Sequence, residues 1–160
     1  MEPQMFVKWI HVLSSTILFG TGIGIAFFML MAHRTRDPRV IAKVAGIVVL
    51  ADFIFTLTAG IVQPVTGGLL MMMMELTFAP WIITALGLFV FVGVCWVPVV
   101  FIQMRMKRLA EQAVAGGTEL PAEYDRLYRI WFILGWPAFT AMIGIFYLML
   151  AQPALWGHAD

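Results

Sequence analysis

Charged residues divide the chain into four long apolar stretches, covering about residues 5–32, 44–74, 80–104 and 130–152. A bilayer core about 30 Å thick needs about 20 helical residues, and each stretch is long enough. The second is interrupted by Gln63-Pro64-Val65-Thr66-Gly67-Gly68. Because proline removes a backbone donor, this predicts a membrane helix to about Val62, then a kinked or re-entrant segment ending in Met71-Met72-Met73-Met74. Pro98 and Pro137 also interrupt stretches three and four. The short connection Glu75–Ala79 makes its flanking helices antiparallel. The longest loop, about 107–125, holds Gly116-Gly117 and Pro121, and residues 105–115 are expected to continue the third helix as a polar overhang. A cleaved signal peptide fits the N-terminus poorly, because the apolar run is too long and lacks a small-residue cleavage site before a polar start. The pattern predicts an all-α membrane protein: a four-transmembrane-helix bundle forming one integral membrane domain over residues 1–160.

Composition supports hydrocarbon as the solvent. Of 160 residues, 62% are hydrophobic and 12% charged, against roughly 45–50% and 25% in soluble domains. A chain this short buries only about two thirds of the surface it exposes when unfolded. A single cysteine, Cys95, excludes a disulfide scaffold. The net charge of +1 gives no reason to expect a nucleic-acid partner. The placement of charge says more. Arg34, Arg36, Arg39 and Lys43 occupy the first connection; Arg105, Lys107, Arg108, Arg126 and Arg129 flank the third. Nine of the ten cations thus lie at one side, with Lys8 at the other. The positive-inside rule puts both basic connections in the cytoplasm and both termini outside. In a bacterium this means a multi-pass protein of the inner (cytoplasmic) membrane with periplasmic termini. Its expected partners are the lipid bilayer and either a second copy in a homodimer or a larger membrane complex.

Polar residues inside the spans carry the candidate chemistry. His11 lies near the outer boundary of span one, just after Lys8-Trp9, an interfacial anchor. It either bonds a carbonyl or headgroup, or serves as a haem or metal ligand or a proton-transfer group. Ser15, Leu18, Gly22, Met29 and His33 follow on roughly its face. His33 is about 33 Å further along a straight helix, so the two histidines of one chain cannot ligate one iron. Gly20 and Gly24 form a small-xxx-small packing pair. Asp52 is the single acid in the middle of a span. Thr56, Gly60, Gln63 and Gly67 follow it at steps of four, four, three and four, a polar and small stripe along one helix face. A carboxylate there must face the bundle and be protonated or paired. Arg129 is the first expected partner and Arg34 the second. Asp52 and Arg129 then read as a clamp between spans two and four, or Asp52, Thr56, Gln63 and Arg129 as a proton or solute pathway. Met71–Met74 encircle a helix as filler rather than forming a copper site. Cys95-Trp96 reads as packing. Trp81, Trp131, Trp136 and Trp156 read as interface belts or pocket walls, and His158 falls on the side of His11. No P-loop, nucleophile elbow, paired catalytic carboxylates or zinc motif is present.

The motif set Lys8-Trp9-Ile10-His11, Gly20, Asp52-Phe53 with Thr56, Gln63-Pro64-Val65-Thr66-Gly67, Cys95-Trp96-Val97-Pro98-Val99 with Gln103, Tyr128-Arg129 and Gly135-Trp136-Pro137-Ala138-Phe139 resembles a bacterial family of predicted integral membrane proteins with a domain of unknown function. That resemblance implies a four-helix membrane bundle. A wider likeness is to the HemJ-type protoporphyrinogen oxidases and the CopD-like membrane proteins, whose first span carries a histidine near its outer end, a glycine about ten residues on and a basic boundary. In the HemJ-type enzymes that histidine is associated with b-type haem, which implies the ligand role for His11. The intramembrane lysine of those enzymes has no counterpart in spans two to four here. The leading expectation is therefore a membrane haem b protein, with His11 on the iron, Ser15 and Gly22 on the pocket face, and Met149, another group at the outer end, a second copy's His11 or nothing as sixth ligand. Its work would be electron transfer or oxidation of a lipophilic or porphyrin-like substrate. A small-solute or proton-coupled carrier using Asp52 and Gln63 is the second expectation, and a non-catalytic membrane subunit the third.

Overall fold

The computed structural model describes residues 2–76, 79–153 and 155. Helix α1 runs Pro3–Thr35 and α2 Pro38–Ala51; a π-helical turn covers Asp52–Thr56; α3 is Leu57–Met73, α4 Pro80–Gly116 and α5 Ala122–Ala151. Local chemistry explains the ends. Proline opens α1, α2 and α4, where its missing N–H costs nothing. The Asp37 carboxylate caps α2 by accepting from the Arg39 amide at 2.8 Å. Arg36 and Gly117 end α1 and α4 in the left-handed conformation, with φ of 55° and 60°. Among the described residues every regular element is helical, and four helices are long and apolar enough to cross a membrane: Pro3–Thr35, Pro38–Met73, Pro80–Gly116 and Ala122–Ala151. The third continues past its apolar part to Gly116, the polar overhang expected from 105–115.

The second membrane helix corrects one expectation. It does not break at Gln63-Pro64; α3 passes through Pro64 as helix. In lipid, unwinding exposes many backbone groups with no water to satisfy them, a larger cost than the single bond proline removes. The irregularity falls earlier, at Asp52–Thr56, where the Leu57 amide donates to the Asp52 carbonyl five residues back. A π turn takes up one residue more than an α turn. Helix faces before and after it are therefore offset by about one residue, roughly 100°.

That offset organises the packing. α2, before the turn, packs mainly against α4, and α3, after it, packs against α1, while α4 and α5 form an antiparallel pair. Phe19 on α1 stacks on Phe139 of α5 with ring centroids 5.0 Å apart. The main apolar core gathers at the basic end, where Met29, Ile41, Ala45, Met106, Ala110 and Tyr124 are fully enclosed. There the exposed pairs Arg36–Asp125 and Arg105–Glu123 join neighbouring helices. Antiparallel order puts Glu2 and Pro153 together at the opposite end.

Candidate functional site

Two polar clusters lie at different depths, one on the first residue of the π turn and one beyond it on α3. The first is built on His11. On α1 it faces α3, and its Nδ1 lies 2.8 Å from Thr66 Oγ1. The Thr66 hydroxyl has one proton, and the Val62 carbonyl accepts it at 2.7 Å. With the Thr66 proton assigned to the Val62 carbonyl, Thr66 Oγ1 accepts from His11; this assignment puts the imidazole proton on Nδ1 and the lone pair on Nε2. Among the described residues Nε2 has no hydrogen-bond partner. Gln63 secures the same turn: its Nε2 donates to the His11 carbonyl and to Ser14 Oγ, both at 2.9 Å. Ser14 Oγ in turn donates to that carbonyl at 3.1 Å. Gly67 completes the seat. A Cβ at position 67 would lie 3.3 Å from His11 Cε1 and 3.9 Å from Nδ1, so the ring sits closer than a side chain at that position would ordinarily allow.

The second cluster is built on Asp52, which is 3% exposed. Trp96 Nε1 of α4 donates to its Oδ1 at 3.1 Å. The orientation of the Gln103 amide that pairs both its neighbours puts its nitrogen 2.6 Å from Asp52 Oδ2, while its oxygen accepts from Trp131 Nε1 at 3.0 Å. Gln103 itself is 1% exposed. One carboxyl, one amide and two indoles thus link the π turn to α4 and α5. The hydroxyl oxygen of Thr56, the last residue of this turn, is buried with no hydrogen-bond partner among the described residues.

The expected site residues separate on this frame. His11 and Gln63 come together; Asp52 does not join them, because the π turn rotates it from the α1 side toward α4. Arg129 is not the partner of Asp52. It sits on the exposed flank of α5, whose inward positions hold Tyr128 and Trp131, and neutral N–H donors satisfy the carboxyl instead. Arg34 is exposed as well. Ser15 is not in the His11 cluster: its hydroxyl donates to the Val12 carbonyl at 2.7 Å, and Ser14 takes the inward place. Gly22 is exposed, and a Cβ there would meet nothing within 4 Å. Met149 is exposed on α5, whereas the His11 ring rests on α3. His33, at the basic end, stacks on Tyr128 with centroids 3.6 Å apart. Trp156 and His158 lie outside the described residues. Sequence reasoning missed Ser14, Trp96, Gln103 and Trp131 as site members. The signal available was spacing, since Trp96 and Gln103 are seven apart on one helix face. Among the described residues no three of His, Cys, Asp and Glu gather as a metal-ligand set, so His11 is offered as a single nitrogen.

Four membrane-length helices around two interior polar clusters define a multi-pass integral membrane protein. The chain belongs to the DUF2269 family of predicted integral membrane proteins, whose model matches residues 5–153 and so includes both clusters. No curated protein and no solved structure shows significant similarity to it.

Proposed function

We propose that this is a haem b protein of the bacterial inner membrane, with periplasmic termini and His11 Nε2 as an axial ligand. The observation that carries the reading is the seat of the imidazole. Thr66 fixes the tautomer, Gly67 admits the ring, Gln63 and Ser14 hold its turn of helix, and Nε2 is left open. A hydrogen bond from the far ring nitrogen is the usual support of a ligating histidine, orienting it and raising its basicity. Beside the cluster a shallow apolar groove of about 220 Å³ runs between α1 and the π turn with α3, lined by Ile10, Leu13, Ser14, Ile17, Phe55 and Val62 among others. His11 itself is not among the residues that line this groove, and cofactor pockets measure about 300–1,000 Å³, so one chain supplies a ligand but not a complete pocket. A second copy in a homodimer, with its own His11, supplies the rest. Haem bound there supplies one-electron redox chemistry, its potential set by ligation and burial, for electron transfer or for oxidation of a lipophilic, porphyrin-like substrate.

Protein purified in detergent from haem-replete cells is expected to show a Soret band, with α and β bands sharpening on reduction. His11→Ala is expected to abolish them. A colourless wild type, or His11→Ala retaining full pigment, overturns the reading. The Asp52 cluster supports a separate role. Both Asp52 oxygens and both ends of the Gln103 amide are engaged, the pattern of a helix clamp rather than of an open solute path.

A further inference from the structure

At the basic end, opposite the His11 cluster, a second groove of about 410 Å³ opens between α2 and α4, lined by Arg39, Ala42, Lys43, Glu111, Val114 and Ala115. Arg39 and Lys43 are four residues apart, so their side chains lie one above the other on one face of α2. Among the described residues neither takes part in an ion pair. The lining contains one acid, Glu111, and Lys107 Nζ already lies 3.6 Å from its Oε1. The stem of that lysine crosses α2 at Gly46, where a Cβ would stand 3.6 Å from Lys107 Cε. The groove therefore presents two uncompensated cations above a floor of small apolar side chains.

Depth identifies the ligand. The apolar stretch of the second span begins at Val44, so Lys43 marks the hydrocarbon boundary and Arg39 stands about 6 Å further out. The headgroup layer is about 5–8 Å thick on each face. On α2, the two cations span the layer in which lipid phosphates lie, while Ala42, one residue from the boundary, offers apolar contact to a glycerol backbone. We propose that this groove binds the phosphate of an anionic phospholipid between Arg39 and Lys43. Charge-assisted hydrogen bonds from guanidinium and ammonium groups suit that phosphate, and basic pockets between membrane helices are suited to such headgroups.

The test uses full-length protein in neutral detergent, titrated with phosphatidylglycerol, phosphatidylcholine or inorganic phosphate, with native mass spectrometry and thermal unfolding as readouts. Phosphatidylglycerol is expected to remain as a bound adduct and raise the Tm, while the other two do neither. Arg39→Gln/Lys43→Gln is expected to weaken phosphatidylglycerol binding roughly tenfold or more. Arg108→Gln/Arg126→Gln removes the same charge from exposed positions outside the groove and is expected to leave binding unchanged. Equal loss in both double variants reduces the effect to general charge attraction and overturns the proposal. So does equal retention of phosphatidylcholine, or inorganic phosphate reproducing the Tm shift.

Discussion

A methyl group at position 67 meets the His11 ring at 3.3 Å, so the hydrogen-bonded ring must give by a few tenths of an ångström, whereas at position 68 it meets nothing within 4 Å. Gly67→Ala is therefore expected to push the imidazole off Thr66 and cost about 1–2 kcal/mol. Gly68→Ala, gaining only helix propensity, is expected to be neutral or stabilising by up to about 1 kcal/mol. Thermal unfolding of the pair in one detergent checks the contrast. A similar count of donors and acceptors governs Asp52. In Asp52→Asn, the new amide can donate to Gln103 only if Gln103 turns over. Its own NH₂ then faces the Trp131 N–H, so one bond is lost, at about 1 kcal/mol. Trp131→Phe in that background removes the competing donor, and a double-mutant cycle is expected to show the two losses adding to less than their sum. The importance of His11 and Asp52 was legible in the sequence, because a polar group in an apolar span stands out. Their partners were less so. Ser14 and Ser15 are three and four residues from His11, both compatible with its face, and only the direction of α3 chooses between them.

At the scale of the element, the pattern along residues 44–74 pointed to Pro64 as the interruption, yet the helix deviates at Asp52–Thr56. No residue type there announces a π turn; Asp-Phe-Ile-Phe-Thr reads as ordinary membrane helix. An unbroken 3.6-residue period put Asp52 and Gln63 on one face, and the extra residue separates them. A π turn is equivalent to one inserted residue, so its removal leaves the flanking faces in register. Deleting exposed Ile54 is expected to restore plain α-helix and keep both hydrogen-bonded clusters with little loss of Tm. Deleting exposed Ile61 instead rotates Gln63, Thr66 and Gly67 by about 100° relative to Asp52, and is expected to lower the Tm sharply and remove any pigment held by His11. The two deletions shorten the span equally, so their difference isolates register. The four spans themselves were legible because lipid demands length and apolarity, and both can be counted.

For the whole molecule, the arrangement of cations predicts an orientation that labelling can read. Cys95 is buried, which gives a quiet background for introduced thiols. Thr118→Cys, in the α4–α5 connection, is expected to react with a membrane-impermeant maleimide only from the cytoplasmic side, and Glu2→Cys only from the periplasmic side. The two clusters also lie far apart, about 22 Å along the second span from Asp52 to Gly67, on faces turned toward different neighbours. Their perturbations are accordingly expected to be independent: Asp52→Asn combined with Gly67→Ala adds within about 0.5 kcal/mol in thermal unfolding. Distance gives the independence, and the extra residue at the π turn gives the different neighbours, working as a swivel in an otherwise continuous rod. It lets one span meet two neighbours at separately adjustable angles. A lineage carrying this swivel can rebuild the interior near the basic connections without retuning the imidazole seat at the other end of the bundle.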